Sequence, residues 1–391
     1  MLSISRYALN SPKNLVFEGG SSRWESETQG SWMLGDPQAS MSVIALFETL
    51  GIESPAPIPP EYERSMDGLA RGQVPWPLVI PIGALRDHAE RVSSILEEAL
   101  ERLEGYADVM ARSRRVLEAL RPCRIDLAAL RICQTGSSSH ILDSFEPGPD
   151  FMVQPPVYSH ATATGRLTVK EGPRILTLQK DHRRILSSRF DGGQMMQIDF
   201  VSLEPRVLRL LRAGVAPIDI YSDVSERLGG AANRRQVKLA TLKMLYGSSR
   251  AGVAEEVGNL SSSMVKQIED YFGLSTLRAR LASDLGRSGM IKSHWGRPLP
   301  EARDQHLLVS HFTQSTAVDV ALGGFGDVLE RVKALDLDVV PCYVLHDALL
   351  VDVHPGSMEQ LMAISDEGID VEGLGHFEVS LSPAYVSQET A

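Results

Sequence analysis

The stretch QMMQIDFVSLEPRVLRLLR, residues 194–212, decides the fold. Its first seven residues, QMMQIDF, are mostly apolar and short enough for a buried strand, with one carboxylate, Asp199, at the strand's end. The remainder repeats its apolar residues at helical spacing, and Pro205 is tolerated because it falls in the first turn. A strand end fixes a carboxylate more firmly than a loop does. A second segment, VVPCYVLHDALLVDV (339–353), reads as two β-rich runs flanking His346-Asp347, a hairpin with a carboxylate at its turn.

Residues 218–290, between these segments, follow a mostly helical pattern broken by the loops GGAAN and GNLSSS. Strands early, helices in the middle and strands late predict an α+β core with a helical insertion. Upstream, Leu85, Ala89, Val92, Leu96, Ala99 and Leu103 form one apolar stripe from Ile82 onward. Gly105 interrupts it, and a second helix is expected from Ala107 to Leu120, before Pro122. Two helices joined by so tight a break predict an antiparallel hairpin, either part of a plain bundle or a short gripping lobe. Residues 1–80 are rich in Gly, Ser and Pro, with little periodicity. They read as an irregular accessory segment without visible chemistry.

The chain has 391 residues, 43% of them apolar, enough for a buried core and two or three lobes. No apolar run is long enough to predict a membrane span. The stretch MLSISRYALNSPKNLVFEGG lacks the basic start and apolar run of a signal peptide. Cys123, Cys133 and Cys342 form no CxxC or Cys/His cluster and read as small packing residues in a reducing cytosol. A cytoplasmic location, in a bacterial or phage-infected cell, is therefore expected.

The net charge of -11 argues against indiscriminate nucleic-acid affinity, but local fields decide what docks. Residues 227–250 hold six basic side chains and no acidic one; residues 166–189 hold seven basic against Glu171 and Asp181. Two basic stretches on an acidic body suit a channel that grips phosphates. Two solvated helix faces would give the same counts.

The middle basic stretch has its own pattern. On a helix, Arg234, Lys238, Leu242 and Tyr246 are four residues apart and stay within about 120° of arc. Val237, Ala240 and Met244 fall on the opposite, packed face. Cations bind triphosphate and an aromatic ring supports a base by stacking. Phosphoryl transfer from a nucleoside triphosphate needs charge neutralisation. Two divalent ions about 3.5–4 Å apart supply it when carboxylates hold them.

Taken in order, these segments resemble the family A DNA polymerases. ATATGRLTV (161–169) resembles their TGRL element and IDFVSLEPR their motif A. RRQVKLATLKMLYG (234–247) resembles motif B. EDYFGLSTLRARLASDLGRSGMIKSHWGRPLP is similar to the helix pair and GR-x-LP loop that follow it. FTQSTAVDV resembles the Q-G-T-A-A-D helix, and VLHDALLVDV motif C. The resemblance runs from about Tyr158 to the C-terminus.

The resemblance implies a right-hand polymerase fold with an antiparallel-sheet palm, helical fingers and a short helical thumb. It divides the chain into an accessory segment (1–80), a thumb (81–145), a palm in two parts (146–212 and 301–391) and fingers (213–300). It implies a template-directed DNA polymerase working on primer-template DNA and dNTPs. Two Mg2+ ions, replaceable by Mn2+, would be held by Asp199, Asp347 and the Phe200 carbonyl. Arg234 and Lys238 would contact the triphosphate, with Lys238 a proton donor to the leaving pyrophosphate. Leu242 would lie beside the nucleotide and Tyr246 near the templating base. Glu204 would exclude a ribose 2′-hydroxyl. Arg166 and Gln314 would read the minor groove, and His346 would lie near the primer 3′ end.

Several positions depart from the family pattern. Ala348 stands where Glu is usual, Leu242 where an aromatic residue is usual, Ser310 for Asn and Ser315 for Gly. These changes predict slower chemistry, looser primer contacts and tolerance of damaged templates. The first 80 residues show no carboxylate set for proofreading. Two other readings stay open: a single-subunit RNA polymerase, which shares the helix and hairpin, and a non-catalytic nucleic-acid-binding relic. Accessory proteins are not indicated.

Overall fold

The computed structural model describes residues 1–26, 31–35, 43–62, 78–103, 105–135, 139–258, 260–299, 302 and 304–385. Pro300, the last proline of the GR-x-LP element, lies outside them.

A four-stranded antiparallel sheet occupies the centre. Its order is Val339–Leu345, Ala348–Val353, Gln194–Phe200, Val379–Pro383. The outermost strand contains Pro341, which cannot donate to a ladder. The register slips between Pro341 and Tyr343, where edge strands accommodate such a residue. The long helix Leu308–Ala334 packs along the sheet. Phe200 lies 5.5 Å from Phe325 and 6.0 Å from Phe377, centroid to centroid. The helix comes this close because Gly324 has no side chain: a Cβ there would sit 2.7 Å from the Phe200 ring. Behind the sheet, buried Tyr158 accepts from the Val344 N–H at 3.0 Å and donates to its carbonyl at 2.8 Å.

A second apolar core belongs to the helical insertion. Ile220–Arg227, Arg234–Leu245, Arg250–Val257, Ser262–Phe272 and Leu274–Ser288 pack around Val237, Ile268, Phe272 and Leu281. Cys123, Cys133 and Cys342 are all buried. No described helix is long and apolar enough to cross a membrane.

The structure corrects two expectations. Residues 1–80 are not irregular throughout: Leu2–Ile4, Asn14–Glu18, Ser21–Glu25 and Trp32–Leu34 form a four-stranded sheet. These strands are three to five residues long, too short for a period of two to show. The helices Ile82–Glu101 and Tyr106–Ala119 exist, but they do not pair into a separate hairpin. The first turns Leu85, Ala89, Val92 and Leu96 onto the N-terminal sheet. The second packs chiefly along the long helix. An amphipathic stripe records that a face is buried, not against what.

Candidate active site

Asp199 and Asp347 leave neighbouring strands at the same end of the sheet. Asp199 pairs in register with Ala348, and the Phe200 N–H donates to the Asp347 carbonyl at 3.1 Å. Because Leu345 pairs with Ala348, the hairpin turn is the two residues His346 and Asp347. His346 adopts φ +51°, a left-handed conformation that costs energy in a residue with a Cβ. The aspartate is thus presented from a strained, tightly determined turn. Burial pushes the Asp199 carboxyl up to about 6, and repulsion from Asp347 adds to the rise. Gln197, Lys180 and Arg183 pull in the opposite direction.

The two carboxylates open into a cavity of about 530 Å³. Glu204 enters it from the first turn of the helix Leu203–Ala213. Arg166 Nη2 donates to one of its oxygens at 2.5 Å and Tyr246 Oη to the other at 3.0 Å. Burial raises its pKa despite the pull of Arg166 and Tyr246. The TGRL turn delivers Arg166. Gly165 there has φ +72°, and a Cβ would lie 2.0 Å from Arg297 Cζ. Arg297 is itself buried, donating to Tyr106 Oη at 3.2 Å and the His160 carbonyl at 3.4 Å. Tyr106 donates to Asp319 at 2.6 Å. Burial pushes Asp319 up to about 6; burial, with Arg297 and Arg114, pushes His160 down to about 3.

The helix Arg234–Leu245 forms the facing wall. A reciprocal capping box between Asn233 and Gln236 starts it. Val237, Ala240 and Met244 are buried, as the pattern predicts, while Arg234, Lys238, Leu242 and Tyr246 line the cavity. Gln314 and His346 complete the wall, with Gln314 Nε2 donating to Ser310 Oγ at 3.0 Å. Every site residue singled out in the sequence, including Phe200, borders this one cavity.

Sequence reasoning missed two neighbours. Tyr221 lies under the cations, 5.6 Å from Arg234 Cζ and 5.9 Å from Lys238 Nζ. Asp219 pairs with Arg234 Nε at 2.7 Å. Burial raises the Asp219 carboxyl, but bonds from Arg234 and Ser222 outweigh it and hold it at about 2. Asp219 was legible as a helix cap before Ile220–Arg227. Nothing in the spacing gave its partner fifteen residues on.

No family model matches the chain. It is 23% identical to DNA polymerase I of Lactococcus lactis subsp. cremoris over 237 residues, 52% of this chain and 27% of that protein. It is 29% identical to the DNA polymerase of Mycobacterium phage L5 over 140 residues, 33% of this chain and 23% of the phage protein. The chain thus spans about a quarter of the length of these curated relatives. Among solved structures, it superposes on the POL domain of Pol1 from M. smegmatis, a complex with DNA primer-template and dNTP. The TM-score is 0.60 at 17% identity, over 76% of this chain and 74% of that one. The fold is that of a DNA polymerase POL domain. The central sheet stands where the resemblance leads one to expect a palm, and its two middle strands carry Asp199 and the hairpin of Asp347. The long helix lies along this sheet and brings Gln314 to the cavity.

Proposed function

We propose that this chain is a template-directed DNA polymerase that adds deoxynucleotides to a primer 3′ end. One observation supports this above all: side chains from five separate segments, acidic on the palm and basic on the helical wall, meet around a single cavity. That polarity suits a triphosphate whose phosphates face cations on one side and whose reacting phosphorus faces carboxylates on the other.

The donor set fits divalent cations. Asp199 and Asp347 are hard oxygen ligands; burial and then repulsion from Asp347 raise Asp199, and a cation between the two would relieve the repulsion. Among the described residues no group of three or more His, Cys, Asp or Glu could hold a metal. Two carboxylates suffice for Mg2+ when substrate phosphate and water supply the remaining ligands. Bound there, with the Phe200 carbonyl as a further ligand, such ions would activate the 3′-hydroxyl and neutralise the leaving group.

The chain's own residues do the rest. Arg234 and Lys238 bind and orient the triphosphate. The primer 3′-hydroxyl gives its proton to solvent water and its oxygen bonds the α-phosphorus as the bond to the bridging oxygen of pyrophosphate breaks. Lys238 Nζ donates a proton to that leaving oxygen. Glu204, clamped by Arg166 and Tyr246, occupies the space of a 2′-hydroxyl. Tyr246 supports the base pair, and Gln314 and Arg166 lie where they can read the minor-groove acceptors that every correct pair presents. His346 sits by the primer end.

Primer extension by the purified chain, with dNTPs and Mg2+ or Mn2+, tests this reading. Template-directed extension is expected; its absence with either metal overturns the proposal. The aliphatic Leu242 and the short Ser310 and Ser315 offer a looser grip, so misincorporation and bypass of damaged bases above family levels are part of the proposal. So is extension without editing. Removal of 3′ nucleotides in the absence of dNTPs would contradict that part.

A further inference from the structure

Gln197 precedes Asp199 by two residues on one strand, so the two side chains project from the same face of the sheet. Both are half-buried, while Ile198 and Phe200 are buried on the opposite face. Arg183 reaches Gln197 from the short 3-10 segment Lys180–Ile185, where its Nη1 donates to Gln197 Oε1 at 2.7 Å. A guanidinium can only donate, so this bond fixes which end of the amide faces which neighbour. Oε1 is turned to Arg183, which leaves the amide NH2 for the face it shares with Asp199, and Gln197 lowers the Asp199 carboxyl as a donor there would. Arg183 Nε is buried without a hydrogen-bond partner, so Gln197 sets how that guanidinium docks. Lys180, three residues earlier on the same segment, adds a second cation on this side of Asp199.

We propose that Gln197 and Arg183 are positioning residues that hold the Asp199 carboxylate in its cation-binding orientation. The inference rests on the polymerase reading. The amide occupies one lone pair of Asp199 and thereby aims the others into the cavity. Arg183 keeps the amide from flipping. Outer partners of this kind act on a metal through its ligand, and their loss typically lowers metal affinity by about 10- to 100-fold.

The test is Mn2+ titration of the full chain followed by electron paramagnetic resonance, without DNA or nucleotide. Gln197→Leu and Arg183→Ala should each raise the Mn2+ dissociation constant about tenfold. The double variant should lose no more than the larger single loss, because the pair acts as one unit. In primer extension, the Mg2+ concentration for half-maximal rate should rise in parallel, while KM for dNTP at saturating Mg2+ stays unchanged. Unaltered Mn2+ affinity in Gln197→Leu with a native melting temperature overturns the proposal. If that variant does not fold, Arg183→Ala, on the half-exposed segment, decides in the same way. Weaker primer-template binding in EDTA with unchanged Mn2+ affinity in Arg183→Ala would make Arg183 a phosphate contact and also overturn it. Failure of the polymerase reading looks different: wild-type chain would then show no Mn2+ binding that Asp199→Asn abolishes, and both proposals fall.

Discussion

The Phe200 N–H donates to the Asp347 carbonyl at 3.1 Å, and this bond ties the residue after one carboxylate to the backbone of the other. Neither aspartate can move along the sheet without its neighbour. Asp199→Asn and Asp347→Asn should therefore each disable the same function. A loss of about 10³-fold in primer extension is expected, equivalent to several kcal/mol of transition-state stabilisation. Single-turnover extension measures it, and near-native rates in either variant would remove the metal assignment.

The same pair makes a stability prediction. The Asp199 carboxyl titrates at about 6 in the folded chain, above its ordinary 3.8. The folded state therefore disfavours its ionised form, and the penalty grows as pH rises from about 4 through 6, then levels off. Asp199→Asn lacks the penalty. In metal-free buffer its stability relative to wild type should climb over that window and stay constant above it. Urea midpoints from pH 4 to pH 8 test this. His160 and Asp319 titrate in both proteins and cancel in the difference.

Glu204 is held at both oxygens, by Arg166 at 2.5 Å and Tyr246 at 3.0 Å, and cannot swing aside for a 2′-hydroxyl. Glu204→Ala should improve use of ribonucleotides relative to deoxynucleotides roughly 100-fold, the upper range for adding or removing one small group at a pocket. Tyr246→Phe should have a smaller effect in the same direction. Ratios of kcat/KM for paired substrates measure both, and an unchanged ratio in Glu204→Ala would refute the exclusion role.

Gly165→Ala should destabilise the chain by about 3 kcal/mol. The new Cβ meets buried Arg297 at φ +72°, so it adds backbone strain and displaces a guanidinium that bonds Tyr106 and the His160 carbonyl. Arg166, the next residue, should lose its hold on Glu204. Denaturant unfolding gives the first effect and ribonucleotide discrimination the second.

Tyr221→Leu should raise KM for dNTP roughly tenfold, with a smaller change in kcat. The ring lies within 6 Å of the two cations proposed to bind the triphosphate, and each such contact contributes about 1 kcal/mol or less. Steady-state kinetics at saturating primer-template decide it.

The sequence by itself determined the local elements and singled out the side chains that border the cavity. The strand 194–200, the hairpin around His346-Asp347 and the cavity-lining row Arg234, Lys238, Leu242, Tyr246 were legible because each is set by a period of two or 3.6 residues and by its own end signals. Only the tertiary structure decided which faces meet. It sent the helices Ile82–Glu101 and Tyr106–Ala119 to different partners, built a sheet from N-terminal strands too short to read, and placed Asp219 and Tyr221 under Arg234. It also joined Arg183 to Gln197 and Gly165 to Arg297, across fourteen and 132 residues of chain. Periodicity reports that a side chain is buried or exposed. The partner is chosen by packing and by hydrogen bonds that satisfy buried polar groups, and these are properties of the assembled chain.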